Sequence, residues 1–445
     1  MMRFRSSAIS FRALAWLAGC LWLVSCGLPQ RVQRPAKTLG REAAARQAQL
    51  GICVYDPQTR RYLYRYQDDH LFVPASNTKI LTSYLAMKYL GDSLTAFRYQ
   101  PLPGGDLLLI PGGDPSLLHP DFSSDRILEF LRGYRQIYLV PDLFSGNRYG
   151  PGWSWDDYLD DYMAENNALP LYGNLVRFRV SRGRLVSSPA WFARNLPEQK
   201  APAGEGLSAW RPLGSNAFRF QAGQADSVLL PFNTGPFSDP RDLSLQATLL
   251  ADTLGRPVAQ LHLDRYGAGD LPAFHSQPTD SLLKITLHRS DNFFAEQSLY
   301  MVSFARLGCL DQERIIDTLL GTDLRDLPQP PRWVDGSGLS RYNLFSPQDF
   351  VSILDRIRRE FGMTRVHTLF SAYGPWSPPG NSSPQPPIVY AKTGSMSGVY
   401  AFSGYLYTHR GRLLLFSFLL NNFQGPATGW AARIHALLQK WHDQL

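Results

Sequence analysis

Ser76-Asn77-Thr78-Lys79 stands roughly 210 residues before Ser290-Asp291-Asn292, and Lys392-Thr393-Gly394 follows about 100 residues later. Chemistry that needs all three motifs has to gather them in space. Residues from about 92 to 274 differ in character from the segments on either side, with short β-rich runs between Gly/Pro turns, and read as an insertion. This organisation predicts a discontinuous α+β domain from 41–91 and 275–445, split by one or two inserted β-rich domains at 92–274, with a nested subdomain near 171–250. A chain of 445 residues is long enough to bury two or three such cores.

Local patterns support this reading. Ile52-Cys53-Val54-Tyr55 reads as a strand, Asp56-Pro57-Gln58 as a turn, and Tyr62-Leu63-Tyr64 as the returning strand. After Pro74 the residues Ile80, Leu81, Tyr84, Leu85 and Tyr89 share a helical face, with Gly91 as a stop. Short β-rich runs such as 107–110 and 137–140 then alternate with Gly/Pro turns. Helices return at 280–289, 293–307 and 347–359, and a hairpin pairs 400–407 with 412–420. A closing amphipathic helix carries Trp430, Ile434, Leu437, Leu438 and Trp441.

Ser76 and Lys79 lie at i and i+3, so a helix puts hydroxyl and amine on one face. Ser76 falls in the first turn, where the helix dipole favours developing negative charge. A serine hydroxyl needs an adjacent base. A lysine serves only when neutral, and at a pKa near 10.4 about one in 2,500 is neutral at pH 7. Burial and a second cation both push in the required direction.

The pattern alone is weak, because Ser281-Leu282-Leu283-Lys284 repeats it on an apolar helix too close to the next motif to fold against it. In Ser290-Asp291-Asn292, either Asp291 or Asn292 can cap the helix that follows, while Ser290 can shuttle a proton and Asn292 can donate to a substrate amide. Ser145-Gly146-Asn147 copies that motif in a Gly-rich loop and reads as turn chemistry. Lys392, Thr393, Gly394 and Ser395 precede a strand hairpin. A lysine there can bind a carboxylate, and the glycine lets a ligand approach the backbone.

The N-terminus addresses the chain to a membrane. Arg3, Arg5 and Arg12 precede an apolar run from 13 to 24, too short to span comfortably but suited to a signal peptide over 1–25. Leu23-Val24-Ser25-Cys26 resembles a bacterial lipobox, which makes Cys26 the lipidated first residue, followed by a tether over 26–40. An uncleaved anchor and cleavage without a lipid are the alternatives, and all three leave the domains outside the cytoplasm. The expected site is the periplasmic side of a bacterial membrane, the outer more than the inner. Lys and Arg number 45 against 37 Asp and Glu, and the excess is scattered, so no basic stripe points to nucleic acid. There is no CxxC or HExxH and the nine histidines do not cluster, so neither a metal nor another cofactor is expected. Cys53 and Cys309 read as two buried free thiols, with pairing as the alternative.

S-x-x-K, S-x-N and K-T-G in that order is the trio of β-lactamases and penicillin-binding proteins. The chain resembles the low-molecular-mass class C penicillin-binding proteins, the D-Ala-D-Ala carboxypeptidase/endopeptidase family. The likeness runs through Val73-Pro74-Ala75-Ser76-Asn77-Thr78-Lys79, Gly113-Asp114-Pro115-Ser116-Leu117, Tyr149-Gly150-Pro151-Gly152-Trp153 and Asp335-Gly336-Ser337-Gly338-Leu339-Ser340. It implies a transpeptidase-like, β-lactamase-like domain split by insertions, acting on peptidoglycan stem peptides and acylated by β-lactams. It casts Ser76 as nucleophile, Lys79 as base, Ser290 as proton relay with Asn292 beside it, and Lys392, Thr393 and Ser395 as holders of the terminal carboxylate.

The 335–340 turn reads as structural. Relatives carry a G-T-L-x-x-R loop before K-T-G, whose arginine helps hold the free end of the stem-peptide diamino acid. Here Gly374-Pro375-Trp376-Ser377-Pro378-Pro379-Gly380 stands there instead, and the acidic partner that the resemblance implies before Phe144 is displaced, with Asp142 in its stead. A β-lactamase, or a catalytically silent peptidoglycan-binding lipoprotein, are the competing readings. The sequence leaves the oligomeric state open.

Overall fold

The structure is a computed structural model and describes residues 30–197, 200–202, 206–263, 271–376 and 386–445. The signal peptide expected over 1–25, the lipidation expected at Cys26 and the 377–380 stretch lie outside the described residues. A six-stranded antiparallel sheet organises the catalytic layer. In spatial order its strands are Ser371–Tyr373, Val389–Met396, Val399–Tyr407, Leu413–Asn421, Gln49–Asp56 and Arg61–Tyr66. Gln49 pairs with Asn421 and Tyr55 with Leu415, so the two ends of the chain meet in mid-sheet.

Strands 399–407 and 413–421 are almost wholly buried because both faces of the sheet are covered. Ala401, Tyr405, Leu415 and Leu419 pack towards helices Thr78–Tyr89, Thr279–His288, Asn292–Leu307 and Pro347–Leu369. Phe402, Phe416 and Phe418 pack with Trp430, Ile434 and Trp441 of helix Thr428–Gln444. Alternate side chains of one strand thus serve two cores.

The tether expected up to residue 40 is not one within the described residues. Residues 30–45 are helical, and Val32, Ala36, Leu39 and Ala43 are buried in the core beneath helix Thr428–Gln444. Their spacing of four, three and four makes a helical stripe. Burying it outweighs the one helical hydrogen bond that Pro35 cannot donate.

The insertion is less purely β than its strand runs suggest. A five-stranded sheet takes the order Val258–Gln260, Ile137–Leu139, Asp106–Pro111, Ser93–Leu102 and Ala273–Pro278. The first three strands run parallel, and parallel neighbours require crossovers. Helices Asp125–Arg132 and Ser244–Leu254 lie in these crossovers. The sheet also moves the boundary: Ala273–Pro278 pairs with Ser93–Leu102, and Thr279 N–H donates to the Asp92 carbonyl at 2.9 Å. The catalytic layer therefore resumes at Thr279, not at 275. A three-stranded sheet (Leu175–Ser181, Arg184–Ser188, Ser227–Pro231) and a two-stranded one (Leu207–Trp210, Arg219–Ala225) nest within the insertion.

Candidate active site

Ser76 occupies a short 3-10 turn, Ala75–Asn77, which leads directly into helix Thr78–Tyr89. The turn is anchored to the sheet, because Asn77 Nδ2 donates to Ser403 Oγ at 2.7 Å. Gly394 packs on it so closely that a Cβ there would come 2.8 Å from the Ser76 backbone nitrogen. Lys392-Thr393-Gly394 lies on strand Val389–Met396. The Ser76 turn and the K-T-G strand therefore touch through a residue with no side chain.

Lys79 is fully buried and its ammonium has three partners. Ser76 Oγ accepts from it at 3.0 Å, Asn292 Oδ1 at 2.7 Å and the Ser337 carbonyl at 2.7 Å. Burial lowers the Lys79 pKa from 10.5 to about 8, against the opposing pull of Glu296, Asp335 and Asp291. About one lysine in ten is then neutral at pH 7. Burial thus supplies the effect that the bare sequence demanded. Lys392 faces Lys79, and its own pKa is driven well below normal, by burial first and by Lys79 second. Its Nζ donates to the Thr393 carbonyl at 2.8 Å.

Asp291 caps helix Asn292–Leu307, its Oδ1 accepting from Phe294 N–H at 2.9 Å. That leaves Asn292 free to hold Lys79 with its oxygen and the Tyr162 carbonyl with its Nδ2, at 3.1 Å. Ser290 lines the same cavity as Ser76 and Ser395, of about 590 Å³. The duplicate motifs fall elsewhere. Lys284 is exposed on its helix, and Ser145 Oγ donates to Asp311 in a loop.

The 335–340 turn does more than its sequence suggested. Its Ser337 carbonyl is a ligand of Lys79, while Thr82 Oγ1 donates to the Gly336 carbonyl at 2.6 Å. Two buried carboxylates hold this turn. Glu296 accepts from Gly336 N–H at 3.0 Å and Ser337 N–H at 2.7 Å. Asp335 accepts from Gly338 and Ser340 N–H groups, from Asn343 and, at 3.0 Å, from the Trp153 indole. Trp153 comes from the insertion, which therefore roofs the site. Asp142 is committed elsewhere, to His262 and Leu263. Asp157 and Arg341 are instead the charged residues that share the cavity with Ser76. Arg341 directly follows the 335–340 turn, and that adjacency was the one sequence signal for it.

The sequence pattern of the D-Ala-D-Ala carboxypeptidase 3 (S13) family matches residues 36–193 and 255–444. The chain belongs to that family. The unmatched stretch, 194–254, holds most of the nested strands. The family is one of serine peptidases, and its relatives agree with the match. D-alanyl-D-alanine carboxypeptidase DacB of Haemophilus influenzae is 30% identical over 419 residues, covering 84% of this chain and 85% of that one. The D-alanyl-D-alanine carboxypeptidase of Actinomadura sp. (strain R39) is 26% identical, covering 85% and 78%. Among solved structures, penicillin binding protein 4 (dacB) of H. influenzae superposes with a TM-score of 0.64 at 22% identity, covering 88% of this chain and 95% of that one. A second structure of that protein holds a β-lactam. The α+β transpeptidase-like fold of this family is thus the fold of this chain.

Proposed function

We propose that this protein is a serine-type D-Ala-D-Ala carboxypeptidase or endopeptidase that acts on peptidoglycan stem peptides through an acyl-enzyme on Ser76, and that β-lactams acylate the same hydroxyl. The observation that carries this reading is the buried Lys79 amine, 3.0 Å from Ser76 Oγ and poised towards its neutral form. Neutral Lys79 takes the Ser76 proton as Oγ attacks the carbonyl between two D-alanines. Backbone N–H groups of Ser76 and Ser395 receive the oxyanion, a contribution of about 3–4 kcal/mol per donor. Ser290 passes a proton to the leaving amine. Lys392, Thr393 and Ser395 hold the terminal carboxylate, which would replace the Thr393 carbonyl as the partner of the Lys392 ammonium. Water then releases the acyl group.

Arg341 and Asp157 bring charges of both signs to the cavity, so a side chain ending in both an amine and a carboxylate suits it at the third stem position. Lipidation at Cys26 would keep the enzyme on the periplasmic side of a bacterial membrane. The test is covalent labelling with a fluorescent penicillin. Wild type is expected to be labelled and Ser76→Ala not, whereas labelling of the variant would sink the assignment. Mass analysis of defined uncross-linked and cross-linked muropeptides separates carboxypeptidase from endopeptidase. Sustained, rapid nitrocefin turnover would instead mark a β-lactamase.

A further inference from the structure

We infer that Glu296 is a positioning residue whose negative charge, delivered through the 335–340 turn, sets the basicity of Lys79. The inference rests on the acyl-enzyme reading above. Glu296 and Asn292 lie at i and i+4 on one helix, so both face the same way. Asn292 binds the Lys79 ammonium directly. Glu296 reaches it through a single residue: its Oε1 accepts from Ser337 N–H at 2.7 Å, and the Ser337 carbonyl accepts from Lys79 Nζ at 2.7 Å. The carboxylate polarises the residue that holds the ammonium. It also adds a negative charge in a pocket with no exposed wall at Glu296, Asp335 or Lys79, where little water screens it.

Several charges face this pair. Lys79 is met by Glu296, Asp335 and Asp291 from their own elements and by Lys392 from the K-T-G strand. Glu296 is met by Asp335 and by Tyr300, one turn along its helix. Burial raises the Asp335 pKa, against four donors that favour its ionised form. Glu296 is held by the Gly336 and Ser337 N–H groups, the Ser337 side chain and Gln312 Nε2. Burial and the neighbouring Asp335 push the Glu296 pKa up to about 7. Of the carboxylates around Lys79, Glu296 is therefore one whose charge changes in the working pH range. When ionised it favours the ammonium that Lys79 becomes on taking the serine proton.

The test is the rate of acylation by a fluorescent penicillin between pH 5 and 10. Glu296→Gln is expected to shift the acidic limb down by about one pH unit or more, because Lys79 loses an attractive charge. Its plateau should fall as well, because the ammonium formed on proton transfer is less favoured. Glu296→Asp keeps the charge and should keep the limb near wild type. Gln312→Leu removes a donor to Glu296 and should move the limb in the same direction as Glu296→Gln. It carries the test if Glu296→Gln does not fold. An unshifted limb in the variant measured, or an equal shift in Glu296→Asp, would overturn the inference. Absence of labelling in wild type at every pH would overturn the acyl-enzyme reading instead.

Discussion

The ammonium of Lys79 donates to the carbonyl oxygen of Ser337 at 2.7 Å, across 258 residues of chain. A backbone atom from a Gly-rich turn thus completes the cage around the Lys79 ammonium. The turn can come so close because Gly338 sits at φ +81° and a Cβ there would fall 1.9 Å from the Ala75 carbonyl oxygen. Gly338→Ala is expected to force the turn away from the Ser76 segment. Penicillin acylation should drop at least about 100-fold, since misplacement by roughly 1 Å costs that much. Stopped-flow acylation kinetics check this.

In wild type, acylation is expected to rise with pH and level off above an apparent midpoint near 8, as Lys79 loses its proton. Stability carries the same signature. The folded pKa lies below the ordinary 10.5, so between about pH 8 and 10.5 the unfolded chain binds more protons. That term makes stability rise with pH, by up to about 1.4 kcal/mol per unit. Lys79→Met lacks it. Denaturant melts of both proteins across this window should show wild type gaining relative to the variant.

Trp153→Phe removes the indole donor from buried Asp335. A loss of about 1–3 kcal/mol is expected, the usual cost of a buried acceptor left without its partner. Acylation should slow too, because the insertion then loses a link to the turn that holds Lys79. Paired urea melts and labelling rates measure both.

Glu165 is buried within the insertion. It accepts from Tyr149 Oη at 3.1 Å, Asn233 Nδ2 at 3.0 Å and Thr234 N–H at 2.8 Å, with Arg148 at 3.4 Å and Arg211 at 4.0 Å. Glu165→Ala would take the carboxylate away from two buried guanidinium groups, leaving them only neutral acceptors. Destabilisation of about 3–5 kcal/mol is expected in equilibrium unfolding.

Cys53 and Cys309 are both free. Burial and the nearby Asp68 raise the Cys53 pKa well above its ordinary value, while Cys309 is only half-buried. Peptide mapping after maleimide treatment should find Cys309 modified in the native protein and Cys53 only after denaturation.

Ser76, Lys79, Asn292 and Lys392 could be singled out in the sequence because the chemistry proposed for them needs particular side chains at fixed spacings, and the fold brings the first three within hydrogen-bond reach of one another. The order of the motifs set Ser76 apart from Ser281, and the strand and helix periodicities outlined the catalytic layer. The helix at 30–45 was harder to read, because Pro35 and the basic residues mask a stripe of four apolar side chains whose value appears only against the sheet. What only the tertiary structure decided is how far Lys79 is pushed towards its neutral form. Its buried setting, the Ser337 carbonyl, Glu296 and the Trp153 roof all arise from contacts between segments far apart in the chain. A backbone carbonyl has no sequence signature, and a pKa depends on distance and burial in three dimensions.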